Sequence, residues 1–353
     1  MEYFKHKAFF TETLLKWNIQ DNHRIMPWKN ERDPYKIWIS EIILQQTRVQ
    51  QGFEYYNRFI TTYPTVQHIA EAEESKIFKS WEGLGYYSRC KNIIASAKYI
   101  CNELNSEFPD TYESILQLKG IGSYTASAIA SFAYNLPYAV LDGNVFRVLS
   151  RFFAIRSPID STEGKKIYST LANKLLHKQL PGVYNQAIMD FGSTICKPKL
   201  PLCSVCPLNQ KCLAYLKGLV TTLPIKNKFI TRRTRWMYYL LIECNNQLYV
   251  RKRVTKDIWQ NLNEFVLIET DTPVSIAALQ ASKRFKEIFK KTEFTITSIS
   301  KIYKQQLSHQ TITGQFLTIR VNSCISIDNY RLIPISQLEL LPFPKFITAY
   351  LKD

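Results

Sequence analysis

The chain has 353 residues, 46% of them hydrophobic, which is enough for two compact domains with buried cores. It carries 46 basic against 29 acidic side chains, a formal net charge of +17, which favours an anionic partner, either nucleic acid or an acidic membrane surface. No stretch is apolar and long enough to span a bilayer, so membrane-spanning proteins are excluded. Residues 1–17 lack the apolar core of a secretory signal and predict an amphipathic helix, so we expect a cytoplasmic protein of the bacterial type.

Helical periodicity alternates with short loops up to about Lys217, most clearly at residues 33–47, 88–104 and 123–134. Asp33 and Pro34 form a typical cap and first-turn pair at the start of the first segment. We therefore predict an all-α domain over residues 1–217.

Glu41 interrupts the apolar run IWISEIILQQT. Burying an ionised carboxylate is costly, so a buried Glu41 should have a raised pKa, which suits a general acid. The alternative is a glutamate on the solvated stripe of an ordinary helix, and the run alone favours that simpler interpretation.

Two further segments are compatible with DNA binding and catalysis. Gly120 and Gly122 lie between two helical segments, where glycine allows close backbone approach and free N–H groups at a helix start can hold a phosphate. Asp142 precedes Gly143 and Asn144 at the start of another apolar helix. Taken singly, the glycines predict a plain helix–helix turn and Asp142 predicts a helix cap.

Four of the eight cysteines lie within seventeen residues, in the pattern C-x6-C-x2-C-x5-C. They are Cys196, Cys203, Cys206 and Cys212. Four thiolates in so short a segment can surround one soft metal centre, and the spacing favours an iron–sulfur cluster over a four-thiolate zinc site. Because disulfides are rare in the cytosol, we interpret Cys90, Cys101, Cys244 and Cys324 as ordinary small residues.

A basic segment without periodicity, residues 218–234, predicts a linker. Beyond it, short β-rich runs occur at residues 235–244, 247–253, 263–270 and 316–323, and one helical pattern occurs at 274–291. The chain is thus expected to be multidomain, with an α+β domain over residues 235–353. The basic residues around 230–236 and 251–253 are equally compatible with DNA contact and with a solvated face.

The glycine hairpin, the aspartate about twenty residues later and the four cysteines resemble, in this order, the helix-hairpin-helix DNA glycosylase superfamily. The resemblance covers residues 1–217 and implies an all-α fold with an iron–sulfur loop that holds a [4Fe–4S] cluster on the four cysteines. It also implies that double-stranded DNA is bound by Lys119, Gly120, Gly122 and Ser123. Lys119 stands where this superfamily usually has proline.

Two features are similar to one branch of the superfamily, the MutY-type adenine glycosylases. Endonuclease III-like lyases carry a lysine nucleophile where this chain has Tyr124, so we expect a monofunctional enzyme. The segment SEIILQQT resembles the MutY motif whose glutamate, here Glu41, is catalytic. The same motif and the segments RIMPWK and GLGYYSR imply an adenine pocket with Arg24, Trp28 and Leu44, DNA contacts by Gln46 and Thr47, and a wedge at Tyr86.

The implied reaction hydrolyses the N-glycosidic bond of adenine mispaired with 8-oxoguanine or guanine, which starts base excision repair. Glu41 would protonate adenine at N7, and Asp142 would stay ionised and either stabilise the positive charge on the sugar or bond to the sugar transiently before water attacks. Tyr124 and Asn144 would orient the two carboxyls. The adenine must first leave the base stack, at a cost of about a few kcal/mol.

The C-terminal half resembles the Nudix-like domain of MutY proteins. After Gly218 the only glycine is Gly314, and Arg320 lies six positions on, so the hydrolase motif is absent and we expect recognition without nucleotide hydrolysis. The segment KQQLSHQTITGQF resembles the loop that contacts 8-oxoguanine, which implies contacts by Ser308 and His309. Leu307 replaces the phenylalanine usual in that loop.

The expected partner is double-stranded DNA with an A:8-oxoguanine or A:G pair, bound by a monomer without membrane association. Two other functions stay open. An endonuclease III-like glycosylase/lyase for oxidised pyrimidines is opposed by Tyr124, and a non-enzymatic lesion sensor is opposed by the pair Glu41 and Asp142.

Overall fold

The structure is a computed structural model that describes residues 6–227 and 231–353. Within these ranges the chain divides by its contacts into two compact units. The first comprises residues 6–71 and 92–227, and the second comprises residues 72–91 and 231–353. Residues 1–5 of the predicted N-terminal helix and 228–230 of the predicted linker lie outside the described residues.

The first unit is built from α-helices. In chain order the helices are α1 (Lys7–Gln20), α2 (Pro34–Leu44), α3 (Val49–Thr62), α4 (Val66–Glu71), α5 (Glu74–Ser80), α6 (Tyr87–Glu103), α7 (Tyr112–Gln117), α8 (Ser123–Ala133), α9 (Gly143–Phe152), α10 (Thr162–Leu175), α11 (Pro181–Thr194) and α12 (Leu213–Leu216). Of these, α5 and the first turn of α6 belong to the second unit. The helices predicted at 33–47, 88–104 and 123–134 are confirmed, and Asp33 caps α2 by accepting from the backbone N–H of Tyr35 at 2.9 Å.

The centre of the first unit is formed by α9 and α11, which pack side by side. Apolar residues at helical spacing, such as Leu149 and Phe152 on α9 and Ile188 on α11, are buried there together with the aromatic rings of α1. Since α9 is held along its length by this core, the residues at its N-terminus have a fixed position.

The second unit is a mixed α/β domain, as predicted. Its strands are β1 (Arg233–Cys244), β2 (Gln247–Lys252), β3 (Asn263–Thr270), β4 (Phe294–Ile299), β5 (Tyr303–Gln306), β6 (Gln310–Val321) and β7 (Arg331–Pro334). They form one sheet in the order β4-β6-β1-β3-β2-β7, with β5 paired to β6. The central pair β1–β6 is parallel, with Tyr239 opposite Phe316, and the remaining pairs are antiparallel.

Both faces of this sheet are covered. Leu317 and Ile319 of β6 are fully buried against α13 (Ile276–Ala281) and α14 (Lys283–Phe289). Phe316, which points the other way, stacks on Tyr350 of α15 (Lys345–Leu351) at 4.1 Å between ring centroids.

The single helix predicted over residues 274–291 is wrong. Ser282 divides it, because this residue takes an extended backbone and its side chain caps α14 by accepting from the N–H of Phe285.

The division into units differs from the predicted boundaries at 217 and 235. Residues 72–91 pack with the C-terminal residues, where the N–H of Phe343 donates to Glu82 at 2.8 Å and Lys79 donates to the carbonyl of Leu341 at 3.1 Å. These contacts join segments far apart in sequence. Residues 218–227 of the predicted linker belong to the first unit.

The interpretation of Cys244 and Cys324 as unpaired residues is wrong, since the structure joins them in a disulfide. The parallel pairing of β1 with β6 places Glu243 opposite Arg320, and this brings the two following segments together. Cys90 and Cys101 are free.

No helix within residues 6–227 and 231–353 combines the length and the apolar character needed to cross a membrane.

Candidate active site

The first unit encloses a cavity of about 330 Å³, which we call the catalytic cavity. Its wall comes from the loop before α2, the end of α2 and the residues after it, the first turns of α8 and α9, and the second half of α11. The lining residues are Arg24, Met26, Trp28, Glu41, Leu44, Gln45, Gln46, Thr47, Val49, Tyr124, Asp142, Gly143, Asn144, Gln186, Met189 and Asp190. The structure thus brings together every residue predicted to be catalytic or to form the adenine pocket, along with Gln46 and Thr47.

Glu41 lies on the buried side of α2 and is 6% exposed. Burial raises the pKa of its carboxyl to about 7, a hydrogen bond from Tyr124 lowers it, and the negative charge of Asp142 raises it. A glutamate with this pKa holds its proton in a large fraction of molecules at neutral pH, which a general acid requires.

Asp142 is the N-cap of α9 and also faces the catalytic cavity. Its carboxylate accepts from the N–H of Val145 and from the amide of Asn144, both at 2.7 Å. Burial raises the pKa of Asp142, whereas these two hydrogen bonds and the charge of Arg147 lower it. The sequence left a helix cap and a catalytic carboxylate as alternatives for Asp142. The structure shows the cap, and the same residue lines the catalytic cavity, so its catalytic role stays a prediction.

Asn144 is held by Arg147, whose guanidinium donates to its side-chain oxygen at 2.8 Å. The same guanidinium donates to the carbonyl of Cys196 at 2.7 Å and to that of Gly192. At Gly192 the backbone of α11 comes so close that an added Cβ would lie 2.6 Å from the Cβ of Asn144. The hydrogen bond between Asn144 and Asp142 therefore depends on the packing of α9 against α11.

Arg24 reaches the catalytic cavity paired with Asp190, whose carboxylate is fully buried, at 2.7 Å. Asn22 donates to the same carboxylate at 2.9 Å, and Lys29 lies 3.5 Å from it. The sequence reasoning missed Asp190 and Gln186. The signal that singled out Glu41, an acid within an apolar helix, applies equally to Asp190 between Met189 and Phe191.

The predicted DNA-binding hairpin joins α7 to α8. Lys119, Gly120, Gly122 and Ser123 are exposed. Gly120 has φ +83°, and a side chain there would collide with Asn92, so glycine is required on both counts. Gly122 occupies the N-cap of α8 without a capping side chain, which leaves the first-turn N–H groups of this 11-residue helix without a side-chain acceptor.

The four clustered cysteines line one cavity with Arg151, beside the end of α11 and before α12. Arg151 donates to the Sγ of Cys196 at 3.4 Å and to the carbonyl of Lys197 at 2.7 Å. Among residues 6–227 and 231–353, no group of three or more His, Cys, Asp or Glu side chains is arranged as a metal-ion site. The four sulfurs that line this cavity are the donor set that iron–sulfur clusters use.

The predicted wedge and lesion-reading residues lie in the second unit. Ser308 and His309 form the turn between β5 and β6, where the N–H of Leu307 donates to the carbonyl of Gln310 at 2.7 Å. Tyr86 has a left-handed backbone, with φ +47°, and its hydroxyl is hydrogen-bonded to Ser308. The guanidinium of Arg89 lies 5.4 Å from the Tyr86 ring. No pattern in the sequence predicts this contact between Tyr86 and Ser308.

Comparison with known proteins places this chain in a family. Residues 39–174, which contain Glu41, Tyr124 and Asp142, match the family described as HhH-GPD superfamily base excision DNA repair protein. The adenine DNA glycosylase of Buchnera aphidicola subsp. Schizaphis graminum is 35% identical over 263 residues, which cover 74% of this chain and 75% of that protein. The chain belongs to the MutY-type adenine DNA glycosylase family.

Other members of the adenine DNA glycosylase family match to different extents. The protein of Buchnera aphidicola subsp. Baizongia pistaciae is 32% identical over 323 residues, covering 89% of this chain and 86% of that protein. The mouse protein is 40% identical over 227 residues, which are 61% of this chain and 44% of the mouse sequence.

Solved structures match the helical part of this family member. A thermostable thymine-DNA glycosylase has a TM-score of 0.56 and 30% identity, and the match covers 60% of this chain and 98% of that one. Endonuclease III, trapped in a covalent DNA intermediate, has a TM-score of 0.52 with 21% identity over 60% of this chain. The predicted helix-hairpin-helix glycosylase fold is thereby confirmed.

Proposed function

We propose that this chain hydrolyses the N-glycosidic bond of adenine mispaired with 8-oxoguanine or guanine in double-stranded DNA. The observation that carries the proposal is a pair of carboxyl groups in unlike environments, Glu41 and Asp142, in one cavity. The adenine DNA glycosylases in its family support adenine as the base. A cavity of about 330 Å³ lies in the size range of small-molecule sites.

The chemistry follows from the protonation of the two groups. Glu41 donates its proton to N7 of the extruded adenine, and the electron pair of the glycosidic bond leaves with the base. Asp142, ionised and held by Asn144, faces the positive charge that develops on the sugar. Tyr124 keeps the Glu41 carboxyl in place through its hydrogen bond.

Tyr124 also favours a monofunctional glycosylase over a lyase. It occupies the position at which endonuclease III-like lyases carry their lysine, and a phenol cannot form a Schiff base with the sugar. Its hydroxyl is already engaged with Glu41.

Recognition of DNA is assigned to three places. The hairpin with Lys119, Gly120, Gly122 and Ser123 would hold a backbone phosphate. Tyr86 would enter the base stack, and Ser308 and His309 would contact 8-oxoguanine. The monomeric state and the cytoplasmic location remain predictions.

The four cysteines Cys196, Cys203, Cys206 and Cys212 would hold a [4Fe–4S] cluster. When bound, the cluster would act as a rigid cross-link of the loop between α11 and α12. The chain itself contributes Arg151 beside the sulfur of Cys196 and Arg147 on the carbonyl of the same cysteine.

The test is an excision assay with a labelled duplex that contains one A:8-oxoguanine pair, resolved with and without hot alkali. Strand cleavage at the adenine only after alkali, absent in Glu41→Gln, is the expected result. Cleavage without alkali would show lyase chemistry. An intact strand in both lanes would favour a lesion sensor, provided that the protein binds the duplex.

A further inference from the structure

Glu41 lines two cavities. Besides the catalytic cavity it borders a smaller one of about 70 Å³, which is lined by α1, α2, α11, the end of α8 and the loop before α2, where Asn30 and Arg32 are exposed to solvent. We call this the rear cavity. It also lies in the first unit, and the family relationship assigns it no role.

The two cavities follow one another along α2. Ile37 and Ser40 line the rear cavity, Leu44 and Gln45 line the catalytic cavity, and Glu41 lines both. Residues three and four apart share one face of a helix, so these side chains form a continuous row in which Glu41 is the shared member.

Helix α11 repeats this arrangement on the facing wall. Val183 lines the rear cavity, Met189 lines the catalytic cavity, and Gln186 lines both. Trp28 is the third shared residue. The partition between the cavities therefore consists of the ring of Trp28 and the polar side chains of Glu41 and Gln186. The two polar side chains can form hydrogen bonds on either side of the partition.

The size and lining of the rear cavity fit water. A water molecule takes about 30 Å³ in the liquid and needs two to four polar partners, so this cavity has room for about two waters. Asn18, Ser40 and Gln186 supply polar groups. An adenine, with ten heavy atoms, is too large for it.

We propose that the rear cavity supplies the water that attacks the sugar, an inference that rests on the proposed function. During the reaction the extruded base fills the catalytic cavity and the duplex covers its mouth, which closes the direct route from solvent. Water from the rear cavity reaches the sugar past Glu41.

Every proton transferred along this route has a donor and an acceptor. Glu41 first gives its proton to the base, whose bond to the sugar breaks with both electrons. The water oxygen then forms its bond to the sugar carbon, and one water proton passes to the Glu41 carboxylate. Glu41 ends protonated, as it began, because it faces both the water source and the reacting bond.

Val183 allows a test, since it borders the rear cavity and not the catalytic cavity. Excision would be measured under single turnover in water with added methanol, and the products would be separated into free sugar and methyl glycoside. Val183→Phe should fill the rear cavity and slow product formation about tenfold, with duplex affinity unchanged. Val183→Ala should widen it and raise the methyl share about threefold, because methanol is larger than water.

Val254→Phe, the same exchange at an exposed residue that lines neither cavity, is the control and should keep the wild-type rate and methyl share. A folded Val183→Phe protein with the wild-type rate, together with an unchanged methyl share in Val183→Ala, would overturn the proposal and show that water enters at the mouth. If Val183→Phe does not fold, the methyl share of Val183→Ala decides alone. A wild-type protein that releases no adenine would instead overturn the proposed function.

Discussion

Glu41 and Asp142 share one cavity but differ in what holds them. Burial raises the pKa of Asp142, and hydrogen bonds from Val145 and Asn144 together with the charge of Arg147 offset part of that rise. Glu41 accepts from Tyr124 and is repelled by the charge of Asp142. Glu41 has fewer groups that stabilise its charge than Asp142 has, so we expect the proton of the pair to reside on Glu41.

The raised pKa of Glu41 predicts a pH-dependent cost to stability. Its ordinary pKa is 4.5 and folding raises it to about 7, so the native state binds the proton more tightly than the unfolded state. The contribution to stability is complete below pH 4.5 and is lost as pH rises through 7, a difference of about 3 kcal/mol for 2.5 units. Glu41→Gln, which cannot ionise, should therefore unfold at a higher temperature than wild type at pH 8.

Thermal unfolding of wild type and Glu41→Gln at pH 5 and pH 8 checks this prediction. The variant's advantage should grow between the two pH values, and the same assay on the exposed Glu54→Gln serves as control. An advantage that is equal at both pH values would mean that Glu41 is not protonated preferentially in the folded protein.

Asp142 carries two roles that a single substitution separates. Asparagine is as good an N-cap as aspartate, so Asp142→Asn should keep the bond from Val145 and the melting temperature. It removes the negative charge that faces the sugar, and we expect excision to slow about 10²- to 10³-fold. Single-turnover rates and melting curves of Asp142→Asn and Asp142→Ala distinguish the roles, since only the alanine variant loses the cap. Equal rates for Asp142→Asn and wild type would remove Asp142 from the chemistry.

At the scale of elements, α9 joins the catalytic cavity to the cysteine loop. Its N-terminus carries Asp142 and Asn144, and one and two turns further on it carries Arg147 and Arg151, which bind the Cys196 segment. The spacing of three and four residues places them along one side of the helix. A shift of the cysteine loop would therefore move α9 and change the hydrogen bonds that Asp142 accepts.

The contact of α9 with α11 at Gly192 provides the prediction at this scale. An added methyl group at Gly192 would lie 2.6 Å from the Cβ of Asn144 and 3.0 Å from its backbone oxygen, so Asn144 must move. We expect Gly192→Ala to cost about 1–3 kcal/mol of stability and to slow excision about tenfold or more, because Asn144 no longer holds Asp142. Circular dichroism and single-turnover rates check both effects. A folded variant with the wild-type rate would show that Asn144 has no positioning role.

The sequence predicted those elements whose pattern is local. The helix periodicity around Glu41, the glycines of the hairpin and the β-rich run at residues 316–323 were each sufficient to place their segments. Asp190, the break at Ser282 and the pairing of Cys244 with Cys324 were not predicted. Asp190 has the same local signal as Glu41, an acid within an apolar helix, and was overlooked. The disulfide depends on a neighbour distant in sequence, and the break at Ser282 depends on a cap that outweighs a continuous apolar pattern. The rear cavity likewise exists only through the packing of α2 with α11.

At the scale of the whole molecule, the second unit contains both Tyr86, the proposed wedge, and the turn with Ser308 and His309, proposed to read the lesion. Deleting the C-terminal residues would leave 72–91 without partners such as Phe343 and Leu341. Such a truncation would disturb the wedge segment together with the lesion-reading turn. Lesion discrimination is therefore better tested by substitutions in the full chain.

The double variant Ser308→Ala, His309→Ala should lower the preference for A:8-oxoguanine over A:G without changing the excision chemistry. Each lost hydrogen bond to the lesion is worth about 1 kcal/mol, so the ratio of kcat/KM values for the two duplexes should fall about tenfold or more. The rate on A:G serves as the internal control, because guanine lacks the oxidised edge that these residues would read. Tyr86→Phe removes the bond to Ser308 but keeps the aromatic wedge, and it should leave both rates within about threefold of wild type. If the double variant keeps the wild-type ratio, the turn between β5 and β6 does not read the lesion, and the preference must originate in the first unit.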